Sequence, residues 1–270
     1  MRIKKTGIFC AVGALLSTIS TVCASPALAQ HGQLDQYRTT TIVSNQCYQV
    51  AAVIPVDKAV VASKIPSGFV PASIQAIQGH PEADGPGGLF INSIKCVGAN
   101  TVNGKPIKGE LRGTPVSVFI MPRGNTSTTN IQVYNIDWAT NQKAFFELLD
   151  SEQMPTSINT KIDIDFDKAI STGPDWKVTV TDIQPIPPIS ASGIDFWHEA
   201  GNKVGHVRIS LGTVDQFALG NGCVQAEPRS PVTRFLGVAS ACGQATHNYY
   251  QTVTVVNGDA PVASGGAATG

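Results

Sequence analysis

The sequence predicts a β-dominated α+β fold, and three observations carry that expectation. Short runs rich in Val, Ile, Thr and aromatic residues recur along most of the chain, at 39–43, 48–54, 89–96, 116–121, 131–138, 176–180 and 247–256. Helical spacing of apolar residues is confined to a few short segments. Hydrophobic residues make up 42% of the chain against 14% charged, so there is enough apolar material for a substantial core. Roughly ten strands and two or three short helices are expected in a single domain over residues 30–258.

The chain opens with Arg2, Lys4 and Lys5, an apolar stretch from Gly7 to Val22, and then Ala27-Leu28-Ala29. Basic, apolar and small-x-small in that order read as a secretory signal over residues 1–29, cleaved before Gln30, and the apolar part is too short for a membrane span. Val22 precedes Cys23 where a lipoprotein signal would have a small residue. A secreted or periplasmic location follows. The 19 basic residues balance the 19 acidic ones, and loss of the leader removes three basic groups and no acidic one. The resulting mild acidity argues against nucleic acid or an anionic membrane as the main partner.

Four cysteines remain in the exported chain: Cys47, Cys96, Cys223 and Cys242. An even number in an oxidising compartment reads as two structural disulfides. Three pairings are open in principle. The expected one joins neighbours in sequence, Cys47–Cys96 and Cys223–Cys242. No C-x-x-C motif suggests redox or zinc chemistry.

Along the chain, Asp57 can cap a helix that stops before Pro66, with Val56 stapling onto Val61. An extended piece leads on to Ile77, and residues 79–88 form a loop. Residues 89–96 and 116–121 are apolar on both faces, as in a strand covered twice. Gly124–Asn130 reads as a polar hairpin loop. The longest helix is expected over 140–150, capped by Thr140, with Phe145, Leu148 and Leu149 on one side. Residues 160–167 alternate, with Ile162, Ile164 and Phe166 inward and Lys161, Asp163, Asp165 and Asp167 outward. Thr213-Val214-Asp215-Gln216 has the form of a capping box with Gly220 as a stop, which predicts another short helix. Ala, Gly and Ser dominate residues 259–270, a composition expected to be disordered.

The densest mix of ionisable and aromatic groups lies in residues 193–211. Gly201-Asn202 can supply the positive φ of a tight hairpin turn. Asp195 then faces Arg208, Trp197 faces His206, and Glu199 faces Val204. One face carries Ile194, Phe196, Val207, Ile209 and Leu211, with His198 as a core histidine among them. The other gathers Asp195, Trp197, Glu199, His206, Arg208 and Ser210. In that set Arg208, held by Asp195, can bind a carboxylate or carbonyl oxygen. Glu199 and His206 can exchange a proton, and Trp197 can form an apolar wall. The plainer reading is a cross-strand ion pair with His206 stacked on Trp197.

Several other chemistries lack their motif. There is no G-x-S-x-G, Walker or G-x-G-x-x-G signature. Asp163-x-Asp165-x-Asp167 is followed by Lys168 where a calcium loop needs glycine, so it reads as a solvated strand face. No metal and no cofactor is expected, and the partner expected is a small-molecule ligand.

The order of elements resembles the acetoacetate decarboxylase-like superfamily. Val56-Asp57-Lys58-Ala59 leads through a short helix to Ile65-Pro66-Ser67-Gly68-Phe69, and Gly87-Gly88-Leu89-Phe90 then opens a strand. The later strands and the polar hairpin follow the same plan. The resemblance implies a closed, cone-like antiparallel β-barrel around a cavity, with a few short helices packed outside. The polar face of the hairpin would line that cavity. Active members carry Pro-Lys-Lys, one lysine forming a Schiff base and its neighbour lowering its pKa. The matching position here is Pro155-Thr156-Ser157, without either lysine, and Lys143 and Lys161 nearby have no lysine neighbour. The implied activity is therefore that of a lyase or isomerase using acid–base chemistry on a small carbonyl or carboxylic compound, without a Schiff base. The alternative is a non-catalytic binder of a small apolar or carboxylated ligand.

Overall fold

The computed structural model describes residues 39–122, 130–187 and 193–257. The expected leader, the expected disordered tail and residues 124–129 of the expected hairpin loop lie outside these. β1 (Thr41–Val56) is followed by α1 (Lys58–Ala62), a 3-10 helix (Ile74–Gln78), β2 (Gly87–Cys96), β3 (Asn100–Val102) and β4 (Lys105–Ile107). Next come β5 (Leu111–Phe119), β6 (Ile131–Thr140), α2 (Lys143–Ser151), β7 (Thr156–Ile158), β8 (Asp163–Asp165) and β9 (Ile170–Thr172). β10 (Trp176–Ile186), β11 (Ile194–Ala200), β12 (Lys203–Leu211), β13 (Val214–Ala226), α3 (Pro231–Leu236) and β14 (Ser240–Asn257) complete the order. The fold is β-dominated, as the composition of the strands predicts.

The two long strands organise the molecule. β1 pairs with β2 and β3 along one edge and with β14 along the other. β14 also pairs with β12 and β13. The path β1-β2-β5-β6-β11-β12-β14 therefore returns to β1, while β13, β10, β9 and β8 continue from β14 as an extension. Pairing is antiparallel except where β6 meets β11 and β7, which corrects the all-antiparallel expectation. The reason is topological: β6 and β11 are far apart in sequence, and the long connection lets β11 enter beside β6 in the same direction.

Alternation along these strands separates two cores. All seven strands of the circuit supply the first, including Ile42, Ala51, Phe90, Leu111, Phe119, Val133, Trp138, Phe196, Val207 and Val253. The second lies on their opposite face, where Val50, Ile54, Leu89, Ile91 and Val118 meet Val178, Val180 and Val224 of the extension. Polar contacts fasten the extension over β2: Lys95 Nζ donates to Asp163 Oδ1 at 2.9 Å, and Ser171 Oγ donates to Ser93 Oγ.

The helices divide between these cores. Asp57 caps α1 as expected, Oδ1 accepting from the Ala59 amide at 2.7 Å, and Val61 enters the second core. α3 is not among the helices expected from the sequence, although its signals are local: Ser230 accepts from the Val232 amide at 3.1 Å, Pro231 begins the helix and Gly237 ends it at φ 76°. That is a full set of helix signals within the eight residues 230–237. α2 starts at Lys143, later than expected, because Thr140 belongs to β6. Its Phe145, Leu148 and Leu149 are buried in the first core, so α2 is not packed outside the strand circuit. The expected helix at 213–220 is instead part of β13, hydrogen-bonded to β10 on one side and β14 on the other. Ladders on both sides of the strand outweigh one local cap.

Both disulfides join the expected pairs. Cys47 lies opposite Cys96 across β1 and β2, and Cys223 opposite Cys242 across β13 and β14. The first is buried, while Cys242 of the second is exposed. Each staple fixes strand register as well as chain connectivity.

Candidate functional site

The hairpin forms in the register read from the sequence. Asp195 opposes Arg208, Trp197 opposes His206, Glu199 opposes Val204, and Gly201 turns the chain at φ 64°. β12 is held close to the C-terminal end of α2. A side chain at Gly205 would meet the Glu152 carbonyl oxygen at 1.7 Å, so only glycine allows that approach. Glu152 then binds the strand directly, Oε2 accepting from the His206 amide at 3.2 Å and Oε1 from Asn257 Nδ2 at 3.1 Å.

Asp195 is the hub. Its side chain is fully buried, and its two oxygens take four donors. Oδ1 accepts from Arg208 Nε at 2.7 Å and pairs with His206 Nε2 at 3.1 Å. Oδ2 accepts from Gln132 Nε2 at 2.8 Å and from Asn130 Nδ2 at 3.1 Å. Burial alone would raise the pKa, but the His206, Arg208 and Gln132 hydrogen bonds overcome it and hold the carboxyl well below the usual range. Trp197 completes the cluster: its Nε1 donates to Gln132 Oε1 at 2.7 Å, and its ring stacks on His206 at 3.9 Å and 4°.

Arg208 is positioned by this hub yet not consumed by it. Only Nε bonds to Asp195, and the terminal nitrogens have no hydrogen-bond partner among the described residues, with the side chain 19% exposed. A guanidinium fixed at one edge with its fork unused is suited to a carboxylate. Asn130 and Gln132 also line a neighbouring pocket of about 340 Å³ with Ile77, Ile120 and Pro122.

Two sequence-derived expectations fail here. Glu199 does not meet His206, whose Nε2 belongs to Asp195; Glu199 instead lies beside Tyr134 and His198, where its charge is felt. The opposed residues Trp197 and His206 stack, which leaves Glu199 one step along the strand beyond reach. Nor does the polar face line the interior. The face turned to the first core is the apolar one, with Ile194, Phe196, Val207 and Ile209, and the cavity there is about 10 Å³, the space of about one water. Large side chains from α2 and β6, above all Phe145 and Trp138, fill that volume. His198 is a satisfied histidine, its Nδ1 donating to the Asn135 carbonyl at 3.2 Å.

Gln132 and Asn130 were not legible as site residues. They lie on β6, more than sixty residues from Asp195, and no local pattern announces a parallel neighbour. Thr156 and Ser157 of β7 pair with Trp138 and Ala139 of β6. Lys143 is exposed and paired with Glu147 at 3.3 Å, and Lys161 is exposed. Among the described residues no group of three or more His, Cys, Asp or Glu could hold a metal ion, and no helix is long and apolar enough to cross a membrane.

A β-rich chain with a buried charge hub beside a pocket of small-molecule size is the class that fold and site define. Among solved structures, the chain is similar to an acetoacetate decarboxylase at a TM-score of 0.55 and 10% identity, over 80% of this chain and 86% of that one. The acetoacetate decarboxylase of Legionella pneumophila subsp. pneumophila str. Philadelphia 1 gives 0.52 at 11% identity, over 80% and 84%. An acetoacetate decarboxylase-like enzyme from Sphingomonas wittichii RW1 gives 0.50 at 10% identity, over 82% and 91%. The chain has the acetoacetate decarboxylase-like fold. No protein-family model and no curated protein matches it by sequence.

Proposed function

We propose that the protein is an exported, distant member of the acetoacetate decarboxylase-like superfamily that binds a small carboxylic or carbonyl compound without Schiff-base chemistry. The strand circuit is read as the superfamily's closed, cone-like barrel. Its interior is filled rather than open, so the ligand is assigned to the outward hub. The observation that carries this reading is the Arg208 guanidinium, fixed through Nε by a buried carboxylate and with its terminal nitrogens unused. The ligand carboxylate takes that fork, and its body occupies the pocket beside Asn130 and Gln132.

Binding without turnover is favoured over the acid–base lyase or isomerase reading, because Glu199 and His206 form no relay. Calorimetric titration with acetoacetate, and with acetone as the carboxylate-free control, tests it. Acetoacetate should bind at least about tenfold more tightly than acetone. Arg208→Lys, which keeps a cation for Asp195 but loses the fork, should erase most of that preference. Equal binding of the two probes, or an unaffected Arg208→Lys variant, refutes the site. Borohydride treatment in the presence of acetoacetate should leave no adduct on any lysine, since neither Lys143 nor Lys161 has the neighbouring lysine that would activate its amine. A trapped adduct on Lys143 or Lys161 would restore the Schiff-base reading.

A further inference from the structure

A second pocket, of about 390 Å³, opens between Lys64 in the segment after α1, α3 and the β6–β11 seam. Its volume is in the range of about 300–1,000 Å³ typical of small-ligand sites. The groups around it are charged but unmatched. Asp137, on β6, is partly buried, receives the Trp138 backbone amide and forms no ion pair among the described residues. Arg234, on α3, is exposed, and its guanidinium makes no ion pair or hydrogen bond among the described residues, while its charge acts on Asp137. Lys64 stands beside it, Nζ donating to the Arg234 carbonyl and lying 5.4 Å from the centre of the Phe235 ring.

His198 adds an acceptor. Because Nδ1 donates to the Asn135 carbonyl, the neutral ring keeps Nε2 as a lone-pair site, and Nε2 has no partner among the described residues. Burial pushes the His198 pKa down, which keeps the ring neutral, and burial pushes the Asp137 carboxyl up, against the Trp138 amide. Tyr134, Ile136 and Phe235 give the pocket apolar and aromatic walls.

We propose that this pocket binds a small zwitterion, an α-amino acid with an apolar side chain. Asp137 and His198 Nε2 accept from the ammonium group, Arg234 and Lys64 meet the carboxylate, and the side chain lies against Phe235 and Tyr134. A simple anion would leave Asp137 unpaired and repelled, and a simple amine would leave both cations unused. Only a ligand carrying both charges satisfies the two ends. The site shares no residue with the Asp195 hub and does not rest on it.

Calorimetric titration of the full chain with L-phenylalanine, 3-phenylpropanoate and 2-phenylethylamine tests the proposal. L-phenylalanine should bind at least about tenfold more tightly than either single-charge analogue. Arg234→Gln, at an exposed position that does not threaten folding, should weaken L-phenylalanine at least about tenfold and leave 2-phenylethylamine unchanged. Asp137→Asn should weaken L-phenylalanine and 2-phenylethylamine without weakening 3-phenylpropanoate. No binding of L-phenylalanine, equal binding of all three probes, or an unaffected Arg234→Gln variant overturns the proposal.

Discussion

Replacing Asp195 by asparagine is expected to destabilise the protein by about 3–5 kcal/mol, the usual cost of removing one partner from a buried ion pair. The substitution keeps the volume but takes away the charge that faces Arg208 and His206. It also turns an acceptor into a donor aimed at Gln132, Asn130 or Arg208. Denaturant unfolding measures the loss. A double variant, Asp195→Asn with Arg208→Gln, should recover part of it, because the stranded guanidinium is gone as well. A loss below about 1 kcal/mol would place Asp195 among ordinary surface pairs.

The same residue sets an acid limb. Its folded pKa is depressed, so the stability it contributes is fully present above the ordinary carboxylate value, about 4. That contribution falls away as the pH drops from there towards the folded pKa. Wild-type stability should therefore decline more steeply than that of Asp195→Asn below about pH 4.

Removing the Cys47–Cys96 disulfide with paired alanines is expected to cost about 4 kcal/mol, from the chain entropy released when a loop spanning 49 residues is opened. Loss of Cys223–Cys242, which spans 19 residues, should cost about 3 kcal/mol. The two also differ in access: Cys47 and Cys96 are buried, whereas Cys242 is exposed. Under mild reductant, iodoacetamide should label Cys223 and Cys242 first. Labelling of Cys47 ahead of them would contradict the burial described.

The hairpin was legible because its information is local. A Gly-Asn pair sets the turn, the turn sets the register, and strict alternation assigns each side chain to a face. Asp57 and α1, the buried stripe of α2 and the inward Ile164 of β8 were readable for the same reason. The error at 213–220 has the opposite cause. A capping box can be read in four residues, but the β10 and β14 ladders that make this segment a strand come from elsewhere in the chain.

For the site, residue identities came from the sequence and their relations from the fold. Asp195, Trp197, His206 and Arg208 could be placed on one face from their spacing alone, and the two disulfides could be paired as sequence neighbours. Which face was enclosed could not be read, because that depends on what fills the strand circuit. Phe145 of α2 and Trp138 of β6 fill it, which turns the polar face outward. The same long-range packing brings Gln132 and Asn130 to the buried oxygen of Asp195, and Asp137, His198 and Arg234 to one pocket. Short-range steric rules operate within a few residues and leave a trace in any window of sequence. Desolvation and charge pairing act across strands whose neighbours are chosen only when the whole core closes.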